Sequence, residues 1–209
     1  MKDLKHIHFF EELLEQANNS LVQQAKAEGK TAVGYTCYYV PEALLNCAGA
    51  FSVRLRAPNT GSLDISQYYM NSFICGYTRA LFERAFEGGY NFLDFYASSD
   101  TCQQMVRVVE NIHELGLIEN ERFGYGIIDA PMKVTPHGLK LYCQQIRQQF
   151  AEPLSRGYGV DFSDSAVREA VKMHNEMCDI ITEISDMRKD DHPRITPREF
   201  HIICLVSYT

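Results

Sequence analysis

The chain has 209 residues, of which 45% are hydrophobic and 22% are charged, and its formal net charge is −7. This acidic composition has no basic stripe, which excludes nucleic acid as the expected partner. The longest apolar runs fall short of the roughly 20 residues that a membrane-spanning helix needs, so no membrane partner is expected. The charged start lacks the apolar region of a signal peptide, and we therefore expect a cytoplasmic globular protein.

The first predicted element is one amphipathic helix, and residues 1–30 are assigned to it as an N-terminal unit. Apolar side chains recur at helical spacing from Leu4, and Gly29 ends the run. Two histidines and two glutamates of this segment are interpreted as a solvated helix face and not as a metal site: His6, His8, Glu11 and Glu12.

Residues 31–135 are predicted to form an α/β core. Four segments, rich in β-branched and aromatic residues, carry strand signals: 30–40, 51–58, 91–100 and 123–131. Helical patterns lie between them, at 42–50, in the later part of 67–89 and at 102–116. This alternation is typical of right-handed βαβ units, so we predict a mostly parallel sheet with flanking helices, a three-layer arrangement of the Rossmann or flavodoxin type.

After Pro136 the pattern becomes purely helical, and residues 136–209 are predicted to form a helical segment. Long helices are expected at 137–159 and 163–189, the second with Ser163 in its N-cap region. A last helix starts at "TPREF", and its apolar sequence continues to the final residue. We therefore expect this segment to lead into a second domain that is absent from this chain.

Seven cysteines are present, an odd number that argues against the disulfide framework of a secreted protein. Cys37 lies at the end of the first predicted strand, Cys102 follows the third, and Cys75 precedes a predicted helix. These places belong to the carboxyl edge of a parallel sheet, where ligands bind, and a helix N-terminus favours thiolate. No CxxC pair occurs, so spacing alone leaves metal ligation and ordinary thiols both open. The cysteines of the helical region are predicted to be core residues: Cys143, Cys178 and Cys204.

Three stretches of the core resemble one known family: "VGYTCYYVPEALLNCAGAFSVRL", "SFICGYTRALFE" and "YNFLDFYASSDTCQQM". They are similar to the 2-hydroxyacyl-CoA dehydratase and benzoyl-CoA reductase family, including proteins like the 2-hydroxyglutaryl-CoA dehydratase D-component. The resemblance runs in order over residues 31–209 and implies an iron–sulfur cluster, commonly [4Fe-4S], held by cysteines. By position, Cys75 and Cys102 match the cluster ligands best, and Cys37 matches a position that is cysteine in only some members.

The resemblance also implies an activity. In this family an ATP-driven activator protein supplies one electron, which is passed to an acyl-CoA thioester. The ketyl radical so formed allows loss of a hydroxyl group as water, or ring reduction in the benzoyl-CoA branch. The implied partners are therefore the acyl-CoA substrate, the activator and a sister subunit of the same family.

Subunits of this family are longer than this chain, and their second α/β domain supplies another cluster cysteine. We therefore expect this chain to be a first-domain portion or a natural half, inactive by itself. The [4Fe-4S] cluster is expected in the full-length protein, and this chain alone is expected to lose it in air. Cys47 lies ten residues after Cys37, which is reminiscent of the double-cubane branch, but a buried helix position is the favoured interpretation.

Two carboxylates lie close to the candidate ligands in sequence. Glu42, in "VPEALL", is the candidate catalytic residue, because it lies beside the proposed site and can orient substrate or exchange a proton. A carboxylate that merely stabilises a helix N-terminus is its alternative role. Asp100 is interpreted as the N-cap of the helix that carries Cys102, with a hydrogen bond that supports a ligand of the site as its alternative role.

Three other functions remain open at this point. The chain can be a non-catalytic binding or assembly domain of the same fold, a zinc-binding α/β domain, or a double-cubane-cluster reductase of small molecules. The motifs for nucleotide binding and for serine hydrolases are not found in the sequence.

Overall fold

The centre of the structure is a four-stranded sheet in which all neighbouring strands are parallel. The computed structural model describes residues 4–208. The strands are β1 Thr31–Tyr35, β2 Ala50–Arg54, β3 Phe95–Ser99 and β4 Gly124–Ile128. Their spatial order is β2-β1-β3-β4, so the chain moves to one side of β1 and then to the other. The carboxyl ends of β1 and β3 therefore flank a topological switch point, and the predicted α/β fold is confirmed.

Side chains of the central strands alternate between two buried clusters, one on each face of the sheet. Ala32 and Tyr96 belong to the first cluster, whereas Val33 and Phe95 belong to the second. The first face is covered by α3 Asp64–Tyr69, α4 Gly76–Phe86 and α5 Gln103–Glu114. The second face is covered by the C-terminal helical segment. The molecule thus has the three layers that the sequence predicts.

The N-terminal segment forms two helices, so the prediction of a single helix is wrong. They are α1 Lys5–Leu14 and α2 Ser20–Ala27. Asn19 is responsible for the break, because its side chain accepts hydrogen bonds from the backbone N–H groups of Leu21 and Val22 and caps α2. The same side chain donates to the carbonyl oxygen of Leu13 and ties the two helices together.

The helix predicted at 42–50 is only a five-residue 3₁₀ helix, Glu42–Asn46. Cys47 after it is already extended, and Gly49 turns the chain into β2 with a φ of +93°, which glycine adopts readily. The Asn46 side chain accepts a hydrogen bond from the Ser52 N–H, which holds this connection against β2. The β1–β2 crossover is therefore shorter and tighter than the helical pattern suggested.

The C-terminal segment contains α6 Pro136–Ile146, a π-helical turn Arg147–Ala151, α7 Glu152–Tyr158, α8 Asp164–Asp186 and α9 Pro197–Val206. The predicted N-cap of α8 is confirmed, because the Ser163 hydroxyl accepts from the Ala166 N–H. The other long helix is interrupted by the π-helical turn. There the Gln149 carbonyl oxygen lies against Gly126 of β4, and an added Cβ at Gly126 would be only 2.1 Å from it.

The last helix stops at Val206, whereas the sequence predicted that it continues to the end. The carbonyl oxygen of Tyr208 accepts a hydrogen bond from the Arg54 N–H, which brings the segment after α9 to β2. Helix α9 packs against α1, and Arg198 forms an ion pair with Glu11 between them. In residues 4–208, none of the helices has the length and apolar character that crossing a membrane requires.

Candidate functional site

Cys37 lies just beyond the carboxyl end of β1 and is half-buried. Its Sγ atom is 3.3 Å from the Thr101 hydroxyl. Burial alone would raise the pKa of this thiol, but hydrogen bonds from Ser99, Thr101 and the Tyr39 backbone outweigh burial, with help from the positive charge of Arg54. The pKa of Cys37 is therefore lowered, and the thiolate is favoured.

Cys75 occupies the N-cap position of α4 and is exposed. Its Sγ atom is 3.2 Å from the Thr78 hydroxyl, one turn into the helix. Burial acts to raise its pKa, yet the Thr78 hydroxyl and the backbone N–H groups of Tyr77 and Thr78 outweigh burial, and the pKa is lowered. The start of α4 thus stabilises a second thiolate.

Cys102 occupies the N-cap position of α5, half-buried against the first core cluster. Its neighbours in sequence contact both other cysteines. Thr101 is the hydroxyl beside the Cys37 sulfur, and the Gln104 side chain accepts a 2.7 Å hydrogen bond from the Cys75 N–H. Residues at the start of α5 therefore contact both Cys37 and Cys75, and this helix start with its three cysteines is named the cysteine edge.

Tyr77 lies within electrostatic range of two of these thiols. Its hydroxyl donates a 2.7 Å hydrogen bond to the carbonyl oxygen of Leu55. Burial raises its pKa, the positive charges of Arg54 and Arg56 oppose that rise, and negative charge on Cys75 and Cys37 adds to it. Among the described residues, no three His, Cys, Asp or Glu side chains are grouped closely enough to hold a single metal ion.

The remaining cysteines differ from one another. Cys47 is completely buried in the second core cluster, and burial together with Asp161 raises its pKa to about 11. The buried interpretation of Cys47 thus agrees with the structure. The prediction that Cys143 is a core residue is wrong, because its face of α6 is exposed to solvent. Cys178 and Cys204 are half-buried.

Glu42 begins the 3₁₀ helix and is held from several sides. Its Oε1 atom accepts hydrogen bonds from Asn46 at 2.5 Å and from the Ser52 hydroxyl at 3.0 Å. Its Oε2 atom lies 2.5 Å from Nδ1 of His174 on α8. This carboxylate therefore links the first crossover to the C-terminal segment, a role beyond that of a helix-stabilising charge.

His174 is the residue beside Glu42 that sequence reasoning did not single out. Its Nε2 atom is 3.5 Å from the Cys178 sulfur, one helical turn further along α8. The His–x–x–x–Cys spacing places both side chains on one helix face and was the available signal. The pairing with Glu42, 132 residues away, had no local signal.

Asp100 does not cap α5, so that interpretation is wrong. The cap position belongs to Cys102, and the Asp100 carboxylate instead accepts a hydrogen bond from the Ala130 N–H. Asp100 therefore joins the loops that follow β3 and β4. At the N-terminal helix, His8 is 3.4 Å from Glu11 in an exposed ion pair, as expected of a solvated face.

The fold and this edge define an α/β domain with two thiols of lowered pKa, Cys37 and Cys75, near the switch point of a parallel sheet. More particularly, the chain belongs to the 2-hydroxyglutaryl-CoA dehydratase D-component family, whose model matches residues 37–209. The matched region contains all the candidate cysteines, Glu42 and His174. The family resemblance seen in the sequence is thereby confirmed.

Two curated relatives are similar to this chain. The (R)-phenyllactyl-CoA dehydratase beta subunit of Clostridium sporogenes is 21% identical over 204 residues, which are 98% of this chain and 53% of the relative. The (R)-2-hydroxyglutaryl-CoA dehydratase subunit beta of Acidaminococcus fermentans is 21% identical over 178 residues, 85% of this chain and 46% of the relative. The chain thus spans about half the length of the curated relatives that it matches.

Proposed function

We propose that this chain is part of the iron–sulfur subunit of a 2-hydroxyacyl-CoA dehydratase or of a related acyl-CoA reductase. The observation that supports the proposal is that Thr101 contacts the Cys37 sulfur and Gln104 the Cys75 N–H, which connects both cysteines to the start of α5 beside Cys102, with the pKa lowered at Cys37 and Cys75. Thiolate is the form that binds iron. The dehydratase assignment is supported by the family match and by two relatives named as dehydratase beta subunits.

In this proposal the three cysteines hold a [4Fe-4S] cluster, and the donor set suits it because soft thiolates select iron–sulfur clusters. A further ligand comes from outside this chain. When bound, the cluster supplies one-electron transfer to the acyl-CoA thioester. The hydroxyl groups of Thr101 and Thr78 lie within hydrogen-bond distance of the Cys37 and Cys75 sulfurs, and such hydrogen bonds tune the reduction potential of a cluster.

The Glu42–His174 pair supplies the proton chemistry in this proposal. Loss of a hydroxyl group as water needs a proton, and His174 can exchange one because its ring is partly exposed. Glu42 is nearly buried and holds the ring by the 2.5 Å contact to Nδ1. Both residues line a cavity of about 310 Å³ next to the cysteine edge, with Tyr35 and Tyr38 of the β1 end in its wall.

Anaerobic reconstitution of the chain with iron and sulfide tests the proposal, with metal and sulfide analysis and electron paramagnetic resonance as readouts. We expect iron and acid-labile sulfide in near-equal amounts and a signal that air removes. Zinc without sulfide would contradict the proposal in favour of a zinc-binding domain. A protein that takes up no metal would contradict it in favour of a non-catalytic binding or assembly domain.

The proposed partners are an acyl-CoA substrate, a sister subunit of the same family and an ATP-driven activator protein, in the cytoplasm. Reduced activator with ATP should restore turnover only when the chain is combined with the sister subunit. The double-cubane alternative requires additional ligands, and the raised pKa of Cys47 gives it no support.

A further inference from the structure

A continuous chain of side-chain contacts starts at Ser52 and reaches the cavity beside the cysteine edge. The Ser52 hydroxyl donates to Glu42, Glu42 contacts His174 Nδ1 at 2.5 Å, and His174 Nε2 lies 3.5 Å from the Cys178 sulfur. We propose that Cys178 is a nucleophile that accepts the acyl group of a thioester, with His174 as its base and Glu42 as the residue that positions His174. The choice of a thioester rests on the function proposed above.

The direction of the two histidine contacts fits this assignment. A carboxylate has no proton to donate, so Glu42 fixes the tautomer of His174 that carries its proton on Nδ1. The Nε2 lone pair then faces Cys178 and can accept the thiol proton. The order carboxylate, imidazole, nucleophile is the arrangement that activates serine and cysteine nucleophiles in unrelated folds.

Glu42 itself is firmly held, which a positioning residue must be. Asn46 and Ser52 both donate to its Oε1 atom, so Oε2 remains directed at the histidine. The Asn46 side chain is fixed in turn by the Ser52 N–H. Glu42, the positioning residue, thus lies in the β1–β2 crossover, whereas the proposed nucleophile Cys178 lies on α8.

The wall of the cavity contains two further polar groups. The Tyr35 hydroxyl is buried, and no described residue forms a hydrogen bond with it. The Arg54 guanidinium lies 5.5 Å from the Tyr208 ring centroid and makes no side-chain hydrogen bond or ion pair among the described residues. Both residues line the same cavity as Cys178. A hydrogen-bond donor and a cation there can stabilise the oxyanion that forms when a carbonyl group is attacked.

The proposed step is balanced without an oxidant or reductant. The Cys178 sulfur attacks the thioester carbonyl carbon, its proton passes to His174 Nε2, and the oxyanion forms near Tyr35 and Arg54. When the oxyanion collapses, the bond from the carbonyl carbon to the leaving sulfur breaks. His174 returns the proton to the leaving thiolate, and the acyl group stays on Cys178.

Incubation of the chain with acetyl-CoA, followed by mass spectrometry of its peptides, tests the proposal. We expect one acetyl group on the peptide that contains Cys178 and an equal amount of released thiol. Cys178→Ser should lose this rapid thioester-forming acylation. His174→Ala should slow it by about 100-fold, the lower range for loss of a general base, and added imidazole should restore part of the rate.

Cys143→Ser is the matched control, because this exposed thiol lies outside the cavity.

A second measurement does not need a thioester. Iodoacetamide should alkylate Cys178 faster than Cys143 in the same molecule, and His174→Ala should remove the difference while thermal unfolding stays cooperative. Glu42→Gln retains a hydrogen-bond acceptor and should give a smaller loss that imidazole does not restore. Equal labelling of Cys143, or an unchanged rate in His174→Ala, would overturn the proposal.

Failure of this inference is separable from failure of the proposed function. Cys178→Ser should bind as much iron and sulfide as the unaltered chain, because Cys178 lies outside the cysteine edge. An acetylated Cys178 in a chain that takes up no cluster would support the inference and contradict the function. A reconstituted cluster in a chain whose Cys178 stays unmodified would support the proposed function and contradict this inference.

Discussion

At the scale of single residues, the surroundings of each thiol decide its protonation. Cys37 is half-buried and Cys75 is exposed, and at both the desolvation that disfavours thiolate is outweighed by hydroxyl and backbone N–H donors. Cys47 is buried without such donors, and its pKa rises to about 11. The same residue type therefore has a lowered pKa at the sheet edge and is a small apolar side chain in the core.

Removing a hydroxyl donor should weaken the thiolate beside it. In Thr101→Ala, the pKa of Cys37 should rise because the 3.3 Å contact is lost, and alkylation of Cys37 near neutral pH should become several-fold slower. Thr78→Ala should slow only Cys75, so each variant is the control of the other. Site-resolved alkylation rates from pH 6 to 9 give the answer, and a uniform effect on both thiols would contradict the local origin of the shifts.

The buried thiol should make the fold sensitive to alkali. An unfolded cysteine loses its proton near a pKa of about 8.5, whereas folded Cys47 keeps it until about pH 11. Ionisation in that window favours the unfolded chain, so the free energy of unfolding should fall as pH rises through it. Urea unfolding of Cys47→Ala should show a smaller fall between pH 8.5 and 9.5. If the free energy of unfolding falls equally with pH in the unaltered chain and in Cys47→Ala, Cys47 does not contribute to the alkali sensitivity.

At the scale of elements, the predictable features were those with a local signal. The alternation of strand and helix gave the parallel sheet, and the topology of such sheets places the residues after β1 and β3 at one edge. Two predicted helices differed from the structure because of single residues. Asn19 caps α2 and divides the N-terminal helix, and Gly49 ends the short crossover before β2. His174 could not be paired with Glu42 from sequence, because that contact exists only once α8 lies on the second face of the sheet.

The π-helical turn depends on a close backbone contact that can be tested. Gly126→Ala would place a Cβ atom 2.1 Å from the Gln149 carbonyl oxygen, and backbone must move to relieve it. We expect a loss of about 1–3 kcal/mol in the free energy of unfolding. Gly157 lies in α7, and no atom is near the Cβ that alanine would add there. Gly157→Ala should therefore raise the free energy of unfolding by about 0.5–1 kcal/mol. Urea unfolding measures the free energy of unfolding of both variants. Equal changes in the two variants would contradict the close contact between Gly126 and the Gln149 carbonyl oxygen.

At the scale of the whole molecule, an apolar surface adjoins the cysteine edge. A cavity of about 410 Å³ there is lined by Tyr38, Val134, Leu139 and Tyr142, and the first three are exposed. Exposed apolar patches of this kind are typical of interaction sites. Under the proposed function, we expect the sister subunit to contact this surface.

A charge on that surface should weaken the association. Val134→Glu should reduce co-purification of the chain with a co-expressed sister subunit by at least several-fold, because the carboxylate would be buried without a partner. Leu21→Glu is the control, since Leu21 is also exposed but lies on α2. An equal loss for both variants would indicate a general effect on folding, and no loss for Val134→Glu would contradict the proposed contact surface.

The central claim is that Cys37, Cys75 and Cys102 hold one iron–sulfur cluster at the edge of the sheet. Electron paramagnetic resonance after identical anaerobic reconstitution of three serine variants and a Cys143→Ser control tests it most directly. The account predicts a full signal in the control, a signal reduced about tenfold or more in Cys75→Ser and Cys102→Ser, and an altered or weakened signal in Cys37→Ser. Full signals in both Cys75→Ser and Cys102→Ser would contradict it.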